Sequence, residues 1–215
     1  MNYDYDVIIV GCGPAGIFSA YTIIEKFESG NLKFKPKILI IDKGKDVEER
    51  KCALKEIKKC VLCEPCNIMC GVGGAGIFSD GLLNLRPDIG GNLMEFINEK
   101  ESWELVNKVD EIFVKFGAPK EIYPYNKEDV ENLKRKASSV GVKFVEIKQR
   151  HMGSDGAIRV IKNFENYLKN KGVEILLSTE VDDIIVEENK CIGVYVKNEK
   201  RKIFSKVTLL CPGRI

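Results

Sequence analysis

Histidine is almost absent, with His151 standing alone in 215 residues. That excludes a histidine-rich metal centre and leaves any imidazole chemistry to one side chain. An excess of charge of one sign is also missing: 34 Lys and Arg face 32 Asp and Glu, a net +2. Such balance argues against a protein that coats nucleic acid through a broad basic face. Lysines interleaved with glutamates read as an ordinary solvated surface. No apolar run approaches the roughly 18 residues of a membrane-spanning helix. The acidic start Met1-Asn-Tyr-Asp-Tyr-Asp6 lacks both the basic region and the apolar stretch of a secretory signal. The expectation is a cytoplasmic chain with no membrane span and no nucleic-acid partner, whose cysteines stay reduced.

What is present is a globular composition, 44% hydrophobic and 31% charged, and eight cysteines, five of them between Cys52 and Cys70. Asp6–Val10 reads as a buried strand that ends at Gly11, and Pro14 to about Glu28 as a helix with proline in its first turn. Ser29-Gly30-Asn31 ends that helix, and Lys37–Ile41 is a second strand leading into Asp42. This βαβ unit implies a parallel strand pair with a right-handed crossover. Residues 43–90 show no clear periodicity, which in a compact protein marks a functional or wrapping segment. Helical patterns return at 91–99, 101–116 and 128–139. Val142–Ile147 reads as a strand and Gly156–Asn170 as a helix. Four short strands follow at 173–177, 181–187, 191–198 and 203–210, with turn signals at Glu188-Asn189 and Asn198-Glu199 and the spacing of an antiparallel meander. The expected divisions are 1–90 for the βαβ unit and its loop, 91–150 for an inserted mixed segment, and 151–215 for a helix and the meander.

Gly11-Cys12-Gly13-Pro14-Ala15-Gly16 is a G-x-G-x-x-G placed between a strand and a helix, with an acid at the end of the next strand. Gly11 suits the tight turn, Gly13 a close backbone approach to a pyrophosphate, and Gly16 close packing of helix on strand. The helix N-terminus then presents amides and positive potential to phosphates. Asp42 can accept hydrogen bonds from ribose hydroxyls and would repel the 2′-phosphate of NADP. The bland alternative is a βα turn that binds nothing.

G-x-G-P-A-G resembles the opening of FAD-dependent oxidoreductases of the glutathione-reductase-like FAD/NAD(P)-binding superfamily. Further along, Gly73-Gly74-Ala75-Gly76-Ile77-Phe78-Ser79-Asp80-Gly81, the upstream cysteines and Gln149-Arg150-His151-Met-Gly153-Ser-Asp155 are similar to the family of uncharacterised FAD-dependent dehydrogenases, whose N-terminal portion this chain resembles. The resemblance implies an α/β fold: a Rossmann-like FAD-binding βαβ with a parallel sheet, an antiparallel meander and an inserted mixed segment, with the C-terminal part of the family fold missing. It implies FAD as cofactor and assigns contacts to Lys43 and Arg50, basic residues that follow the acid. It also points to Gly73, Gly74, Ala75, Gly76, Ser79 and Asp80, whose glycines let backbone lie against the flavin or its phosphates; a mobile glycine loop is the alternative. Glu180-Val181 resembles the segment whose backbone contacts adenine, and Leu209-Leu-Cys211-Pro-Gly213-Arg214 the motif by which the chain returns to the nucleotide domain, bringing Gly213 to the site. A buried strand valine is the competing reading of Val181.

Cys60-x2-Cys63-x2-Cys66-x3-Cys70 has the internal spacing of a bacterial iron–sulfur motif, though no proline follows Cys70. Cys52 is an alternative fourth ligand, and zinc is a second metal that four thiolates would accept. Metal-free reactive thiols, such as a Cys63/Cys66 pair whose pKa values Arg50, Lys51, Lys55, Lys58 and Lys59 would lower from close by, are a third reading, and incidental cysteines a fourth. Cys12, Cys191 and Cys211 read as packing. His151, where a strand and loop meet a helix, is the acid–base or flavin-hydrogen-bonding candidate, against a structural role. Asp155 reads as a helix N-cap. The leading expectation is an FAD-dependent oxidoreductase acting on a small molecule or redox partner. A geranylgeranyl-reductase-like flavoprotein is an alternative. Another is a truncated or split half that needs a complementary polypeptide, and an NAD-binding module is disfavoured by the elaborate 50–81 segment.

Overall fold

A computed structural model describes residues 2–124, 126–197 and 200–213. The Asn198-Glu199 turn and Arg214 lie outside the described residues. In chain order the elements are β1 (Tyr5–Val10), α1 (Pro14–Glu28), β2 (Ile38–Ile41), α2 (Leu54–Ile57), β3 (Leu82–Asn84), α3 (Glu99–Lys115) and α4 (Lys127–Ser139), then β4 (Gln149–His151), α5 (Gly153–Asn170), β5 (Glu174–Leu176), β6 (Val181–Glu187), β7 (Lys190–Val196) and β8 (Arg201–Leu210). Short 3-10 turns lie at Ala75–Phe78 and Leu93–Glu95. The chain divides into two compact units, Met1–Phe78 with Ile161–Ile215, and Ser79–Val160.

The first unit is built on a six-stranded sheet of order β5-β2-β1-β8-β7-β6. β5, β2, β1 and β8 are parallel, and β6, β7 and β8 form an antiparallel meander. β8 belongs to both parts. Its first residues pair with β7 through Phe204↔Gly193, and its later ones with β1 from Ser205↔Tyr5 to Leu210↔Val10. Side chains alternate across a strand, so β1 and β2 bury two faces and read as continuous apolar runs. One face carries Ile8, Leu39 and Ile41 into a core with Val194, Val196 and Ile203 of the meander. On α1, buried Gly16, Ile17, Ala20, Tyr21 and Ile24 recur at helical spacing, and the helix contacts β1 and β2. Tyr21 and Phe18 each meet Phe164 of α5 edge to face at 5.3 Å between ring centroids. Each fully buried chain of this size contributes about 1.5–3 kcal/mol.

α1 has the bounds its sequence predicts, and the β6–β7 turn has Glu188 and Asn189 both at positive φ, as a two-residue hairpin requires. The strand expected at 173–177, one of four with meander spacing, is not part of the meander. β5 instead lies parallel to β2 at the far edge of the sheet. The reason is α5, since a helix ahead of a strand returns the chain in the parallel sense.

In the second unit β3 and β4 pair antiparallel, and Tyr123 and Gln149 exchange backbone hydrogen bonds of 2.8 and 2.9 Å. The expected strand Val142–Ile147 is absent, and Val140, Val142, Phe144 and Val145 are exposed. A strand exists only where it finds a partner edge, and here only 149–151 does. The expected helix at 91–99 is reduced to the Leu93–Glu95 turn. Asn98 divides it from α3, its side chain accepting the Glu101 amide at 2.9 Å as an N-cap. α5 starts at Gly153, so Asp155 lies in its first turn and is not the N-cap. No helix among the described residues is long and apolar enough to cross a membrane.

Candidate functional site

At the C-terminal ends of β1 and β2 the first unit has a cleft of about 440 Å3. Its lining includes Gly11, Gly13, Pro14, Asp42, Lys43, Gly74, Ala75, Val181 and Gly213, all of them sites the sequence points to. This is where an open parallel sheet presents ligand sites. Met69, Cys70, Thr179, Glu180, Cys211 and Pro212 also line it. Met69 and Thr179 carry no motif, so only the fold brings them there.

Backbone builds the cleft. Gly11 has φ +106°, and a Cβ on it would stand 2.1 Å from the carbonyl oxygen of Cys211, where β8 ends against the turn. A Cβ on Gly16 would fall 1.9 Å from the Gly11 carbonyl oxygen, so only glycine lets α1 sit this close. The loop 71–76 is tied to this turn by the Gly73 amide, which donates to the Cys12 carbonyl at 2.9 Å. The Val72 amide donates to Lys45 at 3.1 Å, and the Thr179 amide to Asp42 at 3.0 Å. Three chain segments are thus fixed around the end of β2.

Asp42 uses both carboxylate oxygens. One accepts the Cys12 amide and the other the Gly44 amide, each at 2.7 Å. Each oxygen keeps a lone pair for a ribose hydroxyl. No side chain caps the N-terminus of α1. Its first-turn amides, which have no intrahelical acceptor, remain open toward an anion. Beside Gly13 the space is clear, with the nearest atom 3.9 Å from where a Cβ would lie.

Arg50 is buried, 3% exposed, and does not line the cleft. Its guanidinium donates to the carbonyls of Asn67, Ile68 and Val72 at 2.9, 2.6 and 2.7 Å and lies over the Phe78 ring. Burial moves its pKa below the usual arginine value, though it stays a cation beside Asp42. Ala15, Gly16, Gly73 and Gly76 are not among the lining residues. Ser79, Asp80 and His151 belong to the second unit. There the Asp80 carboxylate accepts the Leu82 amide at 3.1 Å, and exposed His151 meets the Tyr123 ring edge to face at 6.3 Å.

All eight cysteines are free thiols. Burial and the nearby Asp42 carboxylate push the Cys12 thiol well up, which suits inert packing. Burial also raises Cys70, partly opposed by Lys43. Among the described residues no three His, Cys, Asp or Glu side chains are gathered to hold a metal ion. Cys60, Cys63, Cys66 and Cys70 are therefore not brought together as a ligand set, for iron–sulfur or for zinc. Spacing along a chain sets only how far apart thiols can be. Here the Cys66 carbonyl accepts the Met69 and Cys70 amides in one tight turn, while Cys60 is exposed.

The sequence also missed a buried ion pair of the second unit. Arg150, buried, forms a bidentate pair with Asp110 of α3 at 2.5 and 2.6 Å and donates to the Pro119 carbonyl. An arginine 40 residues from its partner leaves no local signal.

No family model matches the chain. An uncharacterised protein of Clostridium beijerinckii is 28% identical over 193 residues, 89% of this chain and 28% of its own length. L-proline dehydrogenase from P. horikoshii is similar in structure with TM-score 0.53 and 14% identity, covering 98% of this chain and 53% of that one. Glycine oxidase from Bacillus cereus ATCC 14579 gives TM-score 0.51 and 18% identity over 98% of this chain and 55% of that one. L-amino acid deaminase from Proteus vulgaris gives 0.51 and 15% over 99% and 48%. The chain thus spans about half the length of these structures and 28% of the curated relative. At such identities the likeness is one of fold, a mixed α/β architecture that this chain shares with about half of each of these proteins.

Proposed function

We propose that the cleft holds the adenosine diphosphate part of FAD and that the chain is the nucleotide-binding portion of an FAD-dependent oxidoreductase. The observation that carries this is the convergence of an uncapped helix N-terminus, the open face of Gly13 and the Asp42 carboxylate in one cleft. In this reading the Gly13, Ala15 and Gly16 amides meet the pyrophosphate, Asp42 accepts from ribose hydroxyls, and backbone at Val181 lies against adenine. Lys43 adds positive potential, and Gly74, Ala75 and Gly213 supply a wall without side-chain bulk. Gly73 and Gly76 shape that loop, and Arg50 holds its base. Bound FAD would supply an acceptor for hydride or electron pairs. The deaminase, dehydrogenase and oxidase names of the structural relatives support an oxidoreductase, and the substrate of this chain stays unassigned.

The test is reconstitution with FAD followed by absorbance near 450 nm, with NAD as competitor. Saturable FAD binding that is lost in Gly11→Ala supports the reading, and stoichiometric NAD binding without FAD binding overturns it.

One further feature favours a second reading, in which additional polypeptide completes the cradle. β7 leaves β8 after Phe204, so among the described residues β8 is paired from Ser205 to Leu210 on its β1 side alone. The Cys211 amide donates to Val10, so by strand alternation Lys206, Thr208 and Leu210 direct their backbone groups to the open side. Such an edge fits an added strand. Weak, rapidly lost FAD in the isolated chain supports this reading, and tight flavin retention speaks against it.

A further inference from the structure

The segment between Arg50 and Asn67 is a loop with a clamped neck. The Asn67 side-chain amide donates to the Lys51 carbonyl at 2.8 Å, and Arg50 donates to the Asn67 carbonyl at 2.9 Å. Between these two residues the chain passes through α2 and leaves large apolar side chains in water. Leu54, Ile57 and Val61 are all exposed, and Leu62 is 84% exposed at a residue of φ +50°. A leucine held outward in the left-handed region is an uncommon arrangement for a branched side chain. Interleaved with these are exposed Lys51, Lys58 and Lys59, against Glu56 as the one acid between Lys51 and Cys63.

The structure assigns this loop as a membrane-surface anchor whose apolar tip enters the interface of an anionic bilayer while its lysines meet the lipid headgroups. Four large exposed apolar side chains between Leu54 and Leu62 are grouped rather than scattered singly as on an ordinary surface. Their lysine neighbours supply the charge complementarity, because anionic leaflets attract basic segments and interfacial binding combines that attraction with apolar burial. The binding is peripheral and involves no spanning segment. The clamp at Arg50 and Asn67 lets the tip insert without loosening the cleft wall at Met69–Gly71. The cysteine run between Cys52 and Cys66 then lies along the anchor.

Cosedimentation with vesicles tests this. The chain should pellet with vesicles of phosphatidylcholine mixed with phosphatidylglycerol, lose that binding as salt is raised, and stay in solution with phosphatidylcholine alone. Lys58→Glu together with Lys59→Glu should weaken partition at least about 25-fold, since each lysine near a charged surface is worth about fivefold. Val61→Ser with Leu62→Ser should weaken it about tenfold, while Lys190→Glu, on the exposed side of β7, should leave it within twofold. All these positions are exposed, and far-ultraviolet circular dichroism checks the fold of each variant. Failure to pellet with anionic vesicles overturns the proposal, as does equal pelleting with neutral ones or native partition by either double variant. A change of oligomeric state in the Val61→Ser, Leu62→Ser chain without a change in partition gives the tip to a second copy and likewise overturns it.

Discussion

The carbonyl oxygen of Cys211 stands where a side chain on Gly11 would have to go, 2.1 Å from the position of a Cβ. The end of β8 and the first glycine of the turn thus occupy each other's space, and the cleft exists because position 11 is bare. Gly11→Ala should cost about 2–4 kcal/mol, combining the strain of an alanine at φ +106° with the displacement of β8. Urea unfolding followed by circular dichroism measures it, and a loss under 1 kcal/mol would mean that the Cys211 carbonyl moves aside freely.

Asp42→Asn should weaken FAD binding by at least tenfold and lower stability by about 1–2 kcal/mol. The Asp42 carboxylate accepts two backbone amides, from Cys12 and Gly44. An asparagine keeps one oxygen and turns an NH2 group toward the other amide, so one charge-assisted bond becomes a donor–donor contact. Fluorescence quenching of FAD on titration reads the first effect, and denaturant unfolding reads the second.

Lys162→Met should destabilise the first unit by about 2–4 kcal/mol near neutral pH. Lys162 holds Asp46 at 2.8 Å and reaches the fully buried Glu165 at 3.2 Å, leaving Glu165 to Lys169 alone when it is removed. Burial pushes the Asp46 carboxyl up, but the Lys162 hydrogen bond and the Glu48 amide outweigh it and hold its pKa below 3.8. A depressed carboxylate contributes fully above its unfolded value and loses that contribution as protons return. The gap between native and variant proteins should therefore narrow once pH falls below about 3.8. A gap that is constant down to acid unfolding would show that Asp46 draws nothing from Lys162.

Arg50→Met should raise the rate of limited proteolysis within 51–66 while leaving the fragments on either side intact. Three loop carbonyls, on Asn67, Ile68 and Val72, lose their donor at once. Buried carbonyls without donors cost about 1–3 kcal/mol each, and the loop relieves that by opening to water. Unchanged cleavage would show that Asn67 and the neighbouring backbone hold the neck without the guanidinium.

The cleft was legible in sequence because its parts are local. Gly11 to Gly16, the helix from Pro14 and the acid at Asp42 lie within one βαβ unit, and strand, turn and helix each follow from residues a few positions apart. What could not be read were relationships set by distant partners. Nothing near Glu174 says that its strand pairs with β2 rather than with β6. The apolar alternation of Val142–Ile147 looks like a strand but finds no edge to join. Arg50 has the same local appearance whether it points to a phosphate or, as here, beneath a loop whose carbonyls begin 17 residues later. The cysteine spacing shows the same limit, since regular intervals along a chain do not make four thiols converge.

Arg150→Met should be the most damaging single change in the second unit. The guanidinium makes two bonds to the Asp110 carboxylate and one to the Pro119 carbonyl, tying β4 to α3 and to the loop after it. Removing one partner of a buried pair leaves the other charge without compensation, a loss of about 3–5 kcal/mol. The double change Arg150→Met with Asp110→Leu should recover a substantial part of that loss, because two apolar side chains of similar volume leave no buried charge behind. Hydrogen exchange of the amides in Glu99–Lys115 measures both. If the double variant exchanges as fast as the single one, the destabilisation comes from the orphaned Pro119 carbonyl or from lost packing, and not from the Asp110 charge.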